Sequence, residues 1–109
     1  MVNPIRFILG DKIIYVIIID NGVDIVGLLK YELTEDMLLI HPTLYNPNKT
    51  KFKLFKVECF KSFKYFKEEY NYKAVHACTD NNKLIDMITN KEAYIIGNGE
   101  GGVLYEYVI

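Results

Sequence analysis

The chain has 109 residues, half of them hydrophobic and a quarter charged, with nine Tyr, six Phe and no Trp. That length holds one domain with one core and excludes two, and the apolar fraction excludes a disordered tail. A formal net charge of -1 leaves no global field to draw nucleic acid or an anionic membrane, so any charge recognition has to be local.

The N-terminal "MVNPIRFILGDK" lacks the basic region and long apolar run of a signal peptide, and "IIYVIII" (13–19) is far too short for a bilayer. Cys59 and Cys78 have no Cys-x-x-Cys or second pair with which to build a zinc or redox site. The expectation is a single cytoplasmic domain, residues 1–109, with reduced, buried thiols and no metal.

Residues 5–9 and 12–19 read as two strands about a Gly10-Asp11 turn. Asp20-Asn21-Gly22 predicts a type I′ hairpin that pairs 12–19 antiparallel with 23–33. Gly27, inside that second partner, predicts a bulge or a close backbone approach. After the polar Thr34-Glu35-Asp36 turn, "MLLIH" (37–41) closes the meander as another strand.

Phe52, Phe55, Cys59, Phe63, Phe66 and Tyr70 are spaced by 3, 4, 4, 3 and 4 residues, one stripe of a helix. The helix should run from about 47 or 49 to 70, capped by Asn46 or Asn48 and stopped by Asn71. "YKAVHAC" (72–78) reads as a strand with Ala74, His76 and Cys78 on one face, and 81–89 as a short helix capped by Asp80. Strands at 93–96 and 103–109 finish the chain, joined by "GNGEGG". That hexapeptide matches G-x-G-x-x-G, but a strand follows where a dinucleotide site needs a helix, so it reads as a flexible hairpin loop.

The predicted order is β-β-β-β-α-β-α-β-β. It describes an α+β domain with a mixed, mostly antiparallel sheet of six or seven strands, one long helix and one short one. The long crossover sets the strand after it parallel to a neighbour.

This order, with "IHPTLY" running directly into the long helix, resembles the core of the Gcn5-related N-acetyltransferase family from its second strand onward. His41-Pro42 is similar to the family's hydrophobic-x-Pro segment at the end of the fourth strand. The resemblance implies that the fourth and fifth strands splay apart and that the pantetheine arm of acetyl-CoA pairs with the fourth, at Ile40 and His41. It also implies that the pyrophosphate sits at the start of the helix, at Asn48, Lys49, Thr50 and Lys51. The family's loop there reads Arg/Gln-x-x-Gly-x-Gly/Ala, whereas this chain has Asn46-Pro47-Asn48-Lys49-Thr50-Lys51 without a glycine. Free amides, the positive end of the helix dipole and two lysines would have to serve instead. The family often has an Asn opening the short helix and a proton-donating Tyr seven residues on; from Asn81 that position is Ile88, leaving Tyr45 and Tyr94 as tyrosines on other elements.

His41 and His76 fall on the two strands that would splay, and imidazole titrates near neutrality, so both are candidate bases alongside Tyr45 as a candidate acid. The plainer reading makes His41 a hydrogen-bonding strand end and His76 a satisfied, half-buried ring. Glu32 and Glu35 are alternative bases. Cys78 lies about 7 Å from His76 along the strand and reads as packing.

The helix carries Lys49, Lys51, Lys53, Lys56, Lys61, Lys64 and Lys67 against Glu58, Glu68 and Glu69, a face suited to phosphate-bearing ligands or an acidic partner and also to plain solvation. Leu54, Val57 and Tyr65 lie off the Phe stripe and form a candidate interface for a homodimer or a protein partner. Two functions follow. One is an acyl-CoA-dependent N-acetyltransferase acting on an amine. The other is a non-catalytic descendant of that fold, encoded by a phage or mobile element, that binds another protein.

Overall fold

Runs of Ile, Val, Tyr and Leu favour the extended backbone. In the computed structural model, which describes residues 4–109, they form β1 (Ile5–Leu9), β2 (Lys12–Asp20), β3 (Ile25–Leu33) and β4 (Leu38–Leu44). The helix α1 (Lys49–Tyr70) follows, then β5 (Ala74–Thr79), α2 (Asn82–Ile88), β6 (Tyr94–Gly99) and β7 (Gly102–Val108). The chain is therefore α+β, in the predicted element order. Among the described residues seven strands make one sheet, ordered β1-β2-β3-β4-β5-β7-β6. Every neighbouring pair is antiparallel except β4 and β5, the two strands joined through α1.

Several local details depart from the sequence reading. The β2–β3 connection is not a two-residue type I′ turn. Asn21 Oδ1 accepts from the amides of Val23 (3.0 Å) and Asp24 (2.8 Å), and Asp20 Oδ1 accepts from Gly22 (3.0 Å), so side chains close a longer loop. Only Gly22 takes a positive φ there, at 88°. The segment expected to be a flexible glycine loop is mostly sheet, with Gly99 paired to Gly102 across a short turn. The cap of α2 is Asn81 rather than Asp80, because its Oδ1 reaches the Leu84 amide three residues on, at 3.1 Å. β4 runs on to Leu44, and Pro42, which has no N–H to donate, falls where the strand no longer aligns with β5.

The helix α1 begins as its sequence demands. Asn48 Oδ1 accepts from the Lys51 amide at 2.8 Å, and Asn71 ends the helix in the left-handed conformation at φ 61°. Its stripe of Phe55, Cys59, Phe63 and Phe66 is buried, and each large apolar side chain so removed from water contributes about 1.5–3 kcal/mol. Phe66 meets the rings of Tyr15 and Tyr31 at 5.4 and 4.4 Å between centroids. The Tyr31 hydroxyl hydrogen-bonds Ser62, which donates to the Cys59 carbonyl at 2.7 Å, so the polar atoms of this core are paired. Cys59 is buried and Cys78 half-buried, both free thiols.

Gly27 supplies the close approach its position suggests. A Cβ there would lie 2.6 Å from Phe55 Cε1 and would meet the Thr43 carbonyl, so α1 can lie against β3 only over a bare backbone. The helix α2 brings Ile85 and Ile88 to the same side of the sheet, beside Phe63, Val75, Ala77 and Tyr105. Both helices thus cover one face of the sheet and leave the other without a helix.

Candidate active site

The two parallel strands pair at one aligned position, Leu39 with His76. Leu39 is near the start of β4, so the rest of that strand parts from β5 toward the carboxyl ends of both. A V of this kind frees backbone groups along the inner edges and opens a crevice where α/β folds commonly take ligands. A cleft of about 680 Å³ lies at the carboxyl end of β4, between it and the starts of α1 and α2, within the usual range for a small-molecule site.

Pro42 and Leu44 of β4, Phe52 of α1 and Leu84 of α2 supply its apolar walls. Asn48, Lys49, Asn81 and Lys83 supply the polar rim. The start of α1 therefore faces the cleft with its free amides, and two lysines from different helices stand beside it. The combination suits a ligand with an apolar or amide-bearing arm and an anionic end.

Of the residues singled out for a cofactor, Asn48 and Lys49 line this cleft. Ile40 is buried on the helix side. Lys51 turns away toward Asp24, 3.9 Å off, and Thr50 is exposed on the first turn of α1. Lys83 went unnoticed in the sequence. The signal that could have found it is topological: two parallel strands, each running into a helix, bring both helix starts to the same end of the sheet.

The candidate bases lie elsewhere. Register places Phe7, Ile14, Glu32, Leu39, His76, Glu106 and Tyr94 opposite one another from strand to strand, one row across the whole sheet. Opposed residues share a face, and for this row it is the face without helices. Within the row His76 Nε2 is 2.9 Å from Glu106 Oε2, and the Tyr94 hydroxyl donates to the other carboxylate oxygen. Hydrogen bonds from Tyr94 and then His76 hold the Glu106 carboxyl below its ordinary value. An ionised Glu106 can only accept, so Nε2 of His76 carries a hydrogen, and in the neutral ring Nδ1 keeps a lone pair. That Nδ1 is buried with no hydrogen-bond partner among the described residues.

His41 is on the same open face but in a different pair, its Nε2 3.3 Å from Glu32 Oε2. Burial pushes Glu32 up, while bonds from His41 and Lys12 outweigh it and leave the carboxyl below its usual range. Tyr45 is 40% exposed, beyond the end of β4, and does not line the cleft. The two histidines therefore share a sheet face, each oriented by its own carboxylate, while Tyr45 joins neither.

Leu54 and Tyr65 pack partly on the core, and Val57 alone of that trio is an exposed large apolar residue. Among the described residues no group of three or more His, Cys, Asp or Glu side chains is placed to hold a metal, and no helix is long and apolar enough to cross a membrane. No protein-family model, curated protein or solved structure matches the chain.

Proposed function

We propose that the protein is an acyl-CoA-dependent N-acyltransferase of the Gcn5-related type that its element order resembles, acting on an amine. The observation that carries this reading is the cleft bounded by the end of β4 and the starts of α1 and α2, with both Lys49 and Lys83 at its rim. The unpaired inner edge of β4 suits an amide-bearing arm, and the lysines suit phosphates. Acetyl-CoA, when bound, would supply a thioester whose carbonyl an amine can attack.

The amine nitrogen forms the new N–C bond, the C–S bond breaks, and the amine proton passes through water to the leaving thiolate. His76 does not line the cleft and its Nδ1 is buried, so its pairing with Glu106 is a feature of the sheet and takes no part in the transfer.

Calorimetry and thermal melting with acetyl-CoA test the cleft. A hundredfold excess over Kd should stabilise the fold by about 2.7 kcal/mol. Lys49→Glu with Lys83→Glu should abolish the effect. No shift at saturating coenzyme A overturns the reading.

A second reading, a non-catalytic protein that binds another protein through this fold, is favoured by one observation. Asn48 and Lys49 put side chains where close approach of backbone to phosphate is best served by glycine. That reading expects coenzyme A to leave the melting temperature unchanged.

A further inference from the structure

Among the described residues the sheet ends in two unpaired edges, and they are built differently. β6, at one end, is interrupted by an irregularity between Ile95 and Gly97 and contains two glycines, features that blunt an edge against further pairing. β1, at the other, pairs with β2 through five consecutive positions without a bulge. All five of its residues are exposed, and only Arg6 is charged. Ile5 is 49% exposed, Phe7 47%, Ile8 65% and Leu9 61%.

We propose that β1 is a self-pairing edge, through which two copies of this chain join into one continuous sheet. The strand is self-complementary. Antiparallel pairing about a two-fold at Phe7 sets Phe7 against Phe7, Ile5 against Leu9 and Arg6 against Ile8. No like charges meet, and every opposed pair on the face of Ile5, Phe7 and Leu9 is apolar. That face is the one without helices, where Ile14, aligned with Phe7, and the exposed Ile18 extend the apolar surface inward along β2.

With roughly 200 Å² for each fully exposed large side chain, the four half-exposed residues of each copy bring about 900 Å² for the pair, near the lower end for a specific dimer. Paired backbone groups and the flanks of β2 add to it. The cleft at the end of β4 lies by the middle of the sheet, so the dimer leaves it open and does not depend on the acyltransferase reading.

Sedimentation equilibrium of the full chain across a concentration series tests the proposal. The expected result is a dimer mass, with slower amide exchange over residues 5–9 as the dimer fills. Phe7→Lys with Leu9→Lys should yield a monomer with unchanged circular dichroism, and Ile8→Lys alone should weaken the dimer at least tenfold. Ile8→Lys introduces charge at the most exposed position and guards against misfolding of the double variant. A wild-type monomer up to the solubility limit overturns the proposal, as does a dimer that survives these substitutions. Capture of a different protein on β1 by a chain that remains monomeric overturns it too.

Discussion

Leu39 of β4 and His76 of β5 are opposite one another, the one aligned pair between the two parallel strands among the described residues. From this closed end the strands diverge toward the ligand cleft on one side, while His76 joins Glu106 and Tyr94 on the open face. A single residue therefore connects the sheet's parallel join to its polar row.

His76→Ala takes one of the two hydrogen bonds from Glu106 and leaves a gap beside Leu39. It should lower the urea midpoint. Glu106→Gln keeps the shape and should cost less. Neither side chain lines the cleft, so the affinity for coenzyme A should stay unchanged. A loss of affinity would show that the substitution had disturbed the cleft.

Gly27→Ala places a methyl 2.6 and 2.8 Å from two Phe55 ring carbons and against the Thr43 carbonyl. Backbone cannot yield cheaply, so α1 must lift or its ring must turn. The expected loss is about 1–3 kcal/mol, the usual range for overpacking. Phe55→Leu in the same chain should recover part of it, which a double-mutant cycle by urea denaturation measures.

The helical stripe and the order of elements along the chain were legible because both depend on periodicity and local turn chemistry. Phe55, Cys59, Phe63 and Phe66 are buried where a 3.6-residue repeat puts them. Ser62 was not legible: it lies beside the stripe, and only the arrival of the Tyr31 hydroxyl from β3 explains a buried serine. The row from Phe7 to Tyr94 was hidden for a related reason. It is set by six strand registers, and a register is fixed by distant partners and bulges such as the one between Ile19 and Asp20, which no single segment encodes. Hence His41 and His76 could be assigned to neighbouring strands, but their separate carboxylate partners could not. Lys83 joined the cleft rim for the same reason, through topology and not motif.

The Tyr31–Ser62 contact allows an asymmetric test. Ser62 donates to the Cys59 carbonyl, so it accepts from the Tyr31 hydroxyl. Ser62→Ala strands a fully buried phenol and should cost about 1–3 kcal/mol. Tyr31→Phe removes that donor and leaves Ser62 its own acceptor, so it should cost nearer 1 kcal/mol. The double substitution should fall below the sum of the two singles. An additive result would mean that the two hydroxyls do not interact.

The Tyr94–Glu106 bond makes stability depend on pH at both ends of the scale. It holds Glu106 below its ordinary value of 4.5 and Tyr94 above its ordinary value of 10.0. For Glu106 the unfolded chain binds the proton first, so its contribution is complete above 4.5 and is lost as pH falls through the lower folded value. For Tyr94 the unfolded chain releases the proton first, so its contribution is complete below 10.0 and is lost as pH rises through the higher folded value. Urea midpoints should therefore fall below the first value and above the second. Glu106→Gln should shallow both limbs, leaving in the acid limb the part due to Glu32, whose carboxyl is also depressed through His41 and Lys12. It should also move one phenol to an earlier ultraviolet titration. If Glu106→Gln shallows the acid limb and leaves the alkaline limb and the phenol titration unchanged, Tyr94 does not bond Glu106 in solution, and His76 is held in place by that carboxylate alone.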